Sequence, residues 1–264
     1  MSLSGRHAVV TGGARGIGLA VAKLLAAEGA HLSILSRNPS PSRVTLSDAA
    51  KGRGDFFRVA ADVTDADAIR RAFTACRERH GPITILINNA GIAESAPLKR
   101  TTRWLWDRTI ATNLTGTFLC TQAAIEDMTA AKWGRIVNIA SIAGLVGAPY
   151  ISAYCASKHG VVGLTRAVAA ELSGSGVTAN ALCPGYTETD MMGRTIENIV
   201  RRTGRSEAET RALLARDNPG GRIATAEEVA QAVLKLITGT ETGLAVVVPE
   251  SSRSIPPQLR PDSA

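Results

Sequence analysis

Aromatic side chains make up only 4% of this 264-residue chain. Its core must therefore be filled mainly by Ala, Val, Leu and Ile, which the 45% hydrophobic content makes possible. Cysteine is scarce too. Cys76, Cys120, Cys155 and Cys183 show no paired spacing. That excludes a disulfide framework and predicts reduced thiols in a cytoplasmic protein. No apolar run reaches the ~18 residues a membrane span needs. The opening MSLSGRHAVVTGG lacks a secretory pattern, because a turn signal interrupts its apolar run almost at once. The net charge is +7, but no block of about five or six like charges accompanies it, so no nucleic acid partner is expected. His7, His31 and His80 are scattered along the sequence and His159 reads as packing or surface. No metal site is expected from them.

What the chain does have is alternation. Short β-rich runs at His7–Thr11, His31–Ser36, Asp55–Ala61, Ile83–Asn88, Arg135–Ala140, Val177–Leu182 and Leu244–Val248 alternate with helical stretches. The helices are expected at Ile17–Glu28, Asp65–His80, Ser152–Ser173 and Ala226–Ile237. Trp104–Lys132 reads as mostly helix, with one long element from about Ala111. Thr187–Asp217 is polar and mostly helical, and Pro39–Arg53 is polar and irregular. Strands alternating with helices predict parallel strands joined by right-handed crossovers. The strands are continuous apolar runs, as expected when both sheet faces are covered. The expectation is an α/β fold with one domain over 1–250 and a Pro/Ser-rich tail over 251–264.

TGGARGIG, Thr11 to Gly18, directly follows the first strand. Gly12, Gly16 and Gly18 are spaced so that backbone can approach a pyrophosphate while a helix N-terminus points at it. A tight turn alone would also use such glycines. The second strand ends at Ser36-Arg37 without the acid that would take a ribose 2′-hydroxyl. Arg37, with Arg15 inside the glycine turn, suits a 2′-phosphate, because a guanidinium offers paired donors. NADP(H) is therefore expected over NAD(H), unless both arginines are ordinary surface residues.

Tyr154 and Lys158 lie four residues apart on an expected helix, so they share a face. A nearby ammonium favours phenolate and would lower the phenol pKa from its usual ~10. Ser141 stands thirteen residues before Tyr154.

Together these pieces resemble the short-chain dehydrogenase/reductase family in its single-domain branch. The matching motifs are TGGARGIG, Asp62-Val63, NNAG at Asn88–Gly91, Asn113, Ser141, Tyr154-x-x-x-Lys158, and Pro184-Gly185 followed by Thr189. The resemblance implies a Rossmann fold, a doubly wound parallel sheet of about seven strands with helices on both faces. It implies that Tyr154 is the general acid in carbonyl reduction and that Ser141 holds the substrate oxygen. Lys158 would bind the nicotinamide ribose and lower the Tyr154 pKa, and Asn113 would hold a water linking Lys158 to solvent. On the cofactor side it implies Gly12, Arg15, Gly16, Ile17, Gly18, Ser36, Arg37, Asp62, Val63, Asn89, Ala90 and Gly91, with Asn88 structural. Pro184, Gly185, Thr187 and Thr189 would meet the nicotinamide end.

The family's substrate lid corresponds to about 187–217. That region resembles relatives acting on 3-oxoacyl thioesters and polyketide-like chains. Seven arginines fall within the 29 residues from Arg194 to Arg222. They read either as a solvated helix face or as a lid for an anionic, coenzyme A- or carrier-protein-linked substrate. Met191 and Met192 are either an adaptable apolar wall or lid packing. A sugar, steroid or cyclic alcohol would use the same catalytic set, and a non-catalytic NADP(H) sensor is the alternative from another class. Relatives are commonly homotetramers or dimers. Pro249-Glu250-Ser251 replaces the usual acid and two glycines after the last strand, so an altered subunit face is expected.

Overall fold

The computed structural model describes residues 2–38 and 56–249. The irregular stretch expected at Pro39–Arg53 and the tail over 251–264 lie outside the described residues. Seven strands are described: β1 His7–Thr11, β2 His31–Ser36, β3 Phe56–Ala60, β4 Ile85–Asn88, β5 Gly134–Ile139, β6 Val177–Pro184 and β7 Ala245–Val248. All pair in parallel, in the order β3-β2-β1-β4-β5-β6-β7. The described helices are α1 Gly16–Ala27, α2 Ala66–His80, α3 Arg103–Ile110, α4 Gly116–Ala130, α5 Ser152–Glu171, α6 Asp190–Thr203, α7 Glu207–Asp217 and α8 Ala226–Thr238.

Side-chain alternation along the strands builds two cores. Ala8, Val10, Ile85, Ile87 and Val137 pack with α1 and α8 on one face. Val9, Leu86, Ile136 and Ala179 pack with α2 and α4 on the other. A sheet buried on both faces needs apolar residues at nearly every strand position, as the sequence supplies. Among the described residues no helix is long and apolar enough to cross a membrane.

Helix ends follow local chemistry. Asp65 caps α2, accepting from the N–H groups of Asp67 and Ala68. Ser206 with Glu209 and Thr225 with Glu228 form capping boxes for α7 and α8. Gly204, in the left-handed region at φ 72°, closes α6.

The long helix expected from about Ala111 begins earlier, at Arg103, because Thr102 caps it. A π-helical turn over Ala111–Thr115 joins α3 to α4. The histidines that looked scattered are also not scattered in space. The His80 ring lies 5.2 Å from His7 and 5.4 Å from His31. They meet because β1 and β2 begin side by side and α2 ends beside them. His7 Nδ1 donates to the Gly81 carbonyl at 2.8 Å, and Nε2 lies 2.8 Å from the Ser33 hydroxyl. Burial pushes the His7 imidazole down to about 4, so it is neutral in the folded protein. No group of three or more His, Cys, Asp or Glu among the described residues is arranged to hold a metal.

Candidate active site

Parallel strands bring their carboxyl ends to one edge, and the order reverses between β1 and β4. A crevice opens at such a reversal. Here it is a cleft of about 500 Å³ between the turn after β1, the ends of β2 and β4, and the start of α6.

The turn after β1 is fixed by close packing. Gly12 has φ 64°, and a Cβ there would lie 3.0 Å from the Ala90 Cα. A Cβ on Gly18 would meet the Asn89 amide and the Gly12 carbonyl, the latter at 2.6 Å. Asn89 Nδ2 donates to the carbonyls of Thr11 and Gly12 at 3.0 and 3.1 Å. The Thr11 hydroxyl accepts from the N–H groups of both Asn89 and Ala90 at 3.0 Å. Asn89, expected to line the cleft, thus also clamps the turn. Helix α1 starts behind it at Gly16, with Arg15 at its N-cap, no capping side chain and no acid in its first turn. Its N–H groups are left for an anion. These features fit a pyrophosphate.

Of the residues expected on the cofactor side, Gly12, Arg15, Gly16, Ile17, Ser36 and Arg37 line the cleft. Asp62, Val63, Asn89, Ala90, Gly91 and Thr189 line it too. Gly18 is packed behind the turn. Arg15 and Arg37 are exposed at the rim. Asp62 accepts from the Thr64 N–H at 2.9 Å and the Thr64 hydroxyl at 2.8 Å, fixing its carboxylate. A Cβ on Gly16 would come within 3.4 Å of the Thr189 methyl, so the start of α6 rests on the glycine turn.

Ser141 follows β5, and α5 carries Tyr154 and Lys158. The Ser141 hydroxyl accepts from the Ala143 N–H at 3.1 Å and lies close enough to the Tyr154 phenol to act on its titration. Tyr154 keeps some exposed area of its own but is enclosed by its neighbours. That enclosure pushes its phenol up to about 12, and Ser141 pulls in the opposite direction. The expectation of a lysine-lowered phenol is therefore corrected for the chain by itself. Lys158 Nζ donates to the Ile139 carbonyl at 2.7 Å and sits 5.6 Å from the Tyr154 ring centroid. Burial pushes Lys158 down to about 8. Desolvation outweighs the attraction that sequence spacing suggested.

Asn113 lies in the π turn and is almost wholly buried. Its amide donates to the Ile92 carbonyl and the Ser157 hydroxyl, both at 3.0 Å, and accepts from the Ile92 N–H at 2.9 Å. This side chain is thus a latch between the strand end after β4 and α5. A Cβ on Gly91 would lie 3.3 Å from Asn113 Oδ1 and 3.8 Å from Lys158 Nζ, so the cleft wall reaches the Tyr154 side of the site. Asn88 donates to Thr121 and Asn138 across the sheet, a structural placement.

Beyond β6, Thr187 donates to the Gly185 carbonyl at 3.0 Å, and Thr189 caps α6. Pro184, Gly185 and Thr187 are not among the residues lining the cleft. Asn218, which sequence reasoning missed, holds this segment. It accepts from the Tyr186 N–H at 2.6 Å and donates to the carbonyls of Tyr186 and Arg222 at 3.0 and 2.6 Å. A Cβ on Gly185 would strike the Asn218 side chain. The Asn-Pro dipeptide was the available signal, since it marks a turn. Thr11 was also missed, although its place just before the glycines pointed to it.

A second cavity, about 670 Å³, adjoins the first and shares Arg15, Arg37, Gly91, Ile92, Met191 and Arg194 with it. Tyr150, Tyr186, Arg108 and Arg202 line its other walls. Met191 faces both cavities, whereas Met192 is buried in lid packing with Ile196, Ile199 and Leu214.

A doubly wound sheet with a phosphate-ready turn at its switch point defines a dinucleotide-binding α/β oxidoreductase. The short chain dehydrogenase family matches residues 6–199, and this chain belongs to that family. It is 38% identical over 255 residues to D-beta-hydroxybutyrate dehydrogenase of Rhizobium meliloti (strain 1021), covering 90% of this chain and 96% of that protein. It is 44% identical over 194 residues to the 3-oxoacyl-[acyl-carrier-protein] reductase MabA of Mycobacterium bovis, covering 74% of each. A solved structure of an actinorhodin polyketide ketoreductase variant with NADPH superposes with TM-score 0.86 at 36% identity, covering 94% of this chain and 97% of that one. The protein is thus an oxidoreductase of CH–OH groups, from a family that uses a nicotinamide cofactor.

Proposed function

We propose that this protein is an NADP(H)-dependent reductase of 3-oxoacyl thioesters, working in reverse as a 3-hydroxyacyl dehydrogenase. The observation that carries the reading is Tyr154 beside buried Lys158, its ring centroid 5.6 Å from Nζ, with Gly91 of the cleft wall against that same Nζ. When bound, the nicotinamide supplies the hydride that goes to the carbonyl carbon. The chain's part is to meet the negative charge that then grows on oxygen. Ser141 and Tyr154 are neutral donors aimed there, and such donors stabilise a transition state more than a ground state. Tyr154 gives its proton to that oxygen. A charged Lys158 stabilises the phenolate left behind and holds the nicotinamide ribose. Asn113 positions α5 against the strand end that carries Gly91.

Arg15 and Arg37 take the 2′-phosphate. Support comes from their joint position on the rim of the cleft and from the missing acid at the end of β2. Asp62 and Val63 meet the adenine, and Thr187 and Thr189 lie at the nicotinamide end. Similarity to the carrier-protein reductase and the ketoreductase supports a thioester substrate linked to coenzyme A or a carrier protein. The protein is proposed to be one catalytic domain over 1–250 that works as a homo-oligomer.

The test is NADPH oxidation with acetoacetyl-CoA, beside a Tyr154→Phe variant. Turnover that drops by roughly 10²–10⁴-fold in the variant is expected. Retention of full activity by Tyr154→Phe would sink the assignment. NADPH binding with no turnover across a broad carbonyl panel would shift the reading to a sensor.

A further inference from the structure

Five arginines of the lid divide into two sets. Arg211 pairs with Glu188 and Glu207 at 3.0 Å, Arg216 with Asp217 at 3.1 Å, and Arg222 with Glu228. These guanidinium groups are already occupied by carboxylates. Arg194 and Arg202 form no ion pair among the described residues, and both line the second cavity. They lie on α6 with Asn198 midway, at spacings of four residues, so the three share one helix face. The opposite face, Met192, Ile196 and Ile199, is buried in the lid core. Packing therefore fixes which way the arginine face turns. Arg201 donates to Asn198 Oδ1, which leaves the Asn198 amide hydrogens pointing elsewhere.

The charge in this cavity is unbalanced. Among the described residues Glu94 is the one carboxylate in its lining, and Arg108 occupies it at 2.7 Å. Arg15 and Arg37 sit on the wall shared with the cofactor cleft. Arg194 also reaches that wall, whereas Arg202 belongs to the second cavity alone. Eight residues of helix separate the two, about 12 Å.

We propose that this face of α6 is an anion subsite that takes the phosphate at the far end of a pantetheine arm, with Arg202 as its outer contact. The proposal rests on the thioester reading. Length decides the ligand class. In a short 3-oxo acid the carboxylate carbon is two bonds from the reacting carbon, about 2.5 Å. It is too short to span both Arg194 and Arg202. An extended phosphopantetheine arm, with its dozen or so bonds, covers about 16 Å. It can thread past Arg194 and Asn198 and still place its phosphate at Arg202. A guanidinium suits that phosphate through two parallel N–H donors.

The experiment is calorimetric binding to the cofactor-saturated protein. The ligands are 4′-phosphopantetheine, pantetheine, coenzyme A, dephospho-coenzyme A and acetoacetate. Phosphopantetheine should bind at least ~10-fold tighter than pantetheine, and Arg202→Gln should reduce that ratio to below ~3-fold. Coenzyme A and dephospho-coenzyme A should bind alike, which places the arm's phosphate, not the nucleotide's 3′-phosphate, on the subsite. Equal binding of phosphopantetheine and pantetheine would overturn the proposal. So would a ratio untouched by Arg202→Gln, or acetoacetate binding that depends on Arg202. Phosphate discrimination without acetoacetyl-CoA turnover would remove the thioester reading and leave the subsite. Turnover without discrimination would remove the subsite alone.

Discussion

The two walls of this site are built in different ways. The wall formed by β1, β4 and the glycine turn is made of backbone, held by Thr11 and Asn89 and packed so closely that a single added Cβ collides. The wall formed by α6 and α7 is made of side chains, with a small core of Met192, Ile196, Ile199 and Leu214 and a surface of ion pairs. A backbone wall tolerates few sequences and so reads as a motif. A side-chain wall tolerates many, and its composition alone does not say which charges face inward.

The comparison breaks most visibly at the glycine turn. Gly18→Ala places a Cβ against the Gly12 carbonyl and the Asn89 amide, so the clamp must open. Nicotinamide nucleotide affinity should fall by roughly 100-fold or more, about 2.7 kcal/mol, with the fold retained by circular dichroism. Unchanged affinity in a titration would mean that the wall is less rigid than its packing implies.

A smaller loss is expected at the lid's polar anchor. Asn218→Ala removes two hydrogen bonds to Tyr186 in the segment after β6 and one to the Arg222 carbonyl. The Tyr186 N–H and the carbonyls of Tyr186 and Arg222 are left unpaired or hydrated. Substrate KM should rise by about 10-fold while cofactor affinity moves by less than ~3-fold. Equal effects on both ligands would merge the two walls into one unit.

The smallest effect belongs to Arg211→Ala. Its partners Glu188 and Glu207 are solvent-exposed, and such pairs contribute little. The unfolding midpoint should shift by less than ~2 °C. A larger shift would show that the ion pairs, rather than the apolar cluster beneath them, hold the lid.

This division also explains what was legible beforehand. The strands at His7–Thr11 and His31–Ser36 were placed to the residue, because continuous apolar runs ended by turn signals leave little choice. Parallel order followed from the alternation of strands and helices. The π turn carrying Asn113 was not legible, since no local pattern separates it from an α-helix. The meeting of His7, His31 and His80 was hidden because it depends on strand adjacency. The pKa of Tyr154 was misjudged from spacing, which shows the lysine but not the desolvation. Which lid arginines are paired, as Arg211, Arg216 and Arg222 are, and which face the cavity, as Arg194 and Arg202 do, became visible only after α6 and α7 were packed.

The most direct test of the account is to measure dissociation constants for NADPH and NADH on the intact protein. A pre-built backbone wall rimmed by Arg15 and Arg37 predicts NADPH binding at least ~30-fold tighter, about 2 kcal/mol. Equal binding, or tighter binding of NADH, would contradict it.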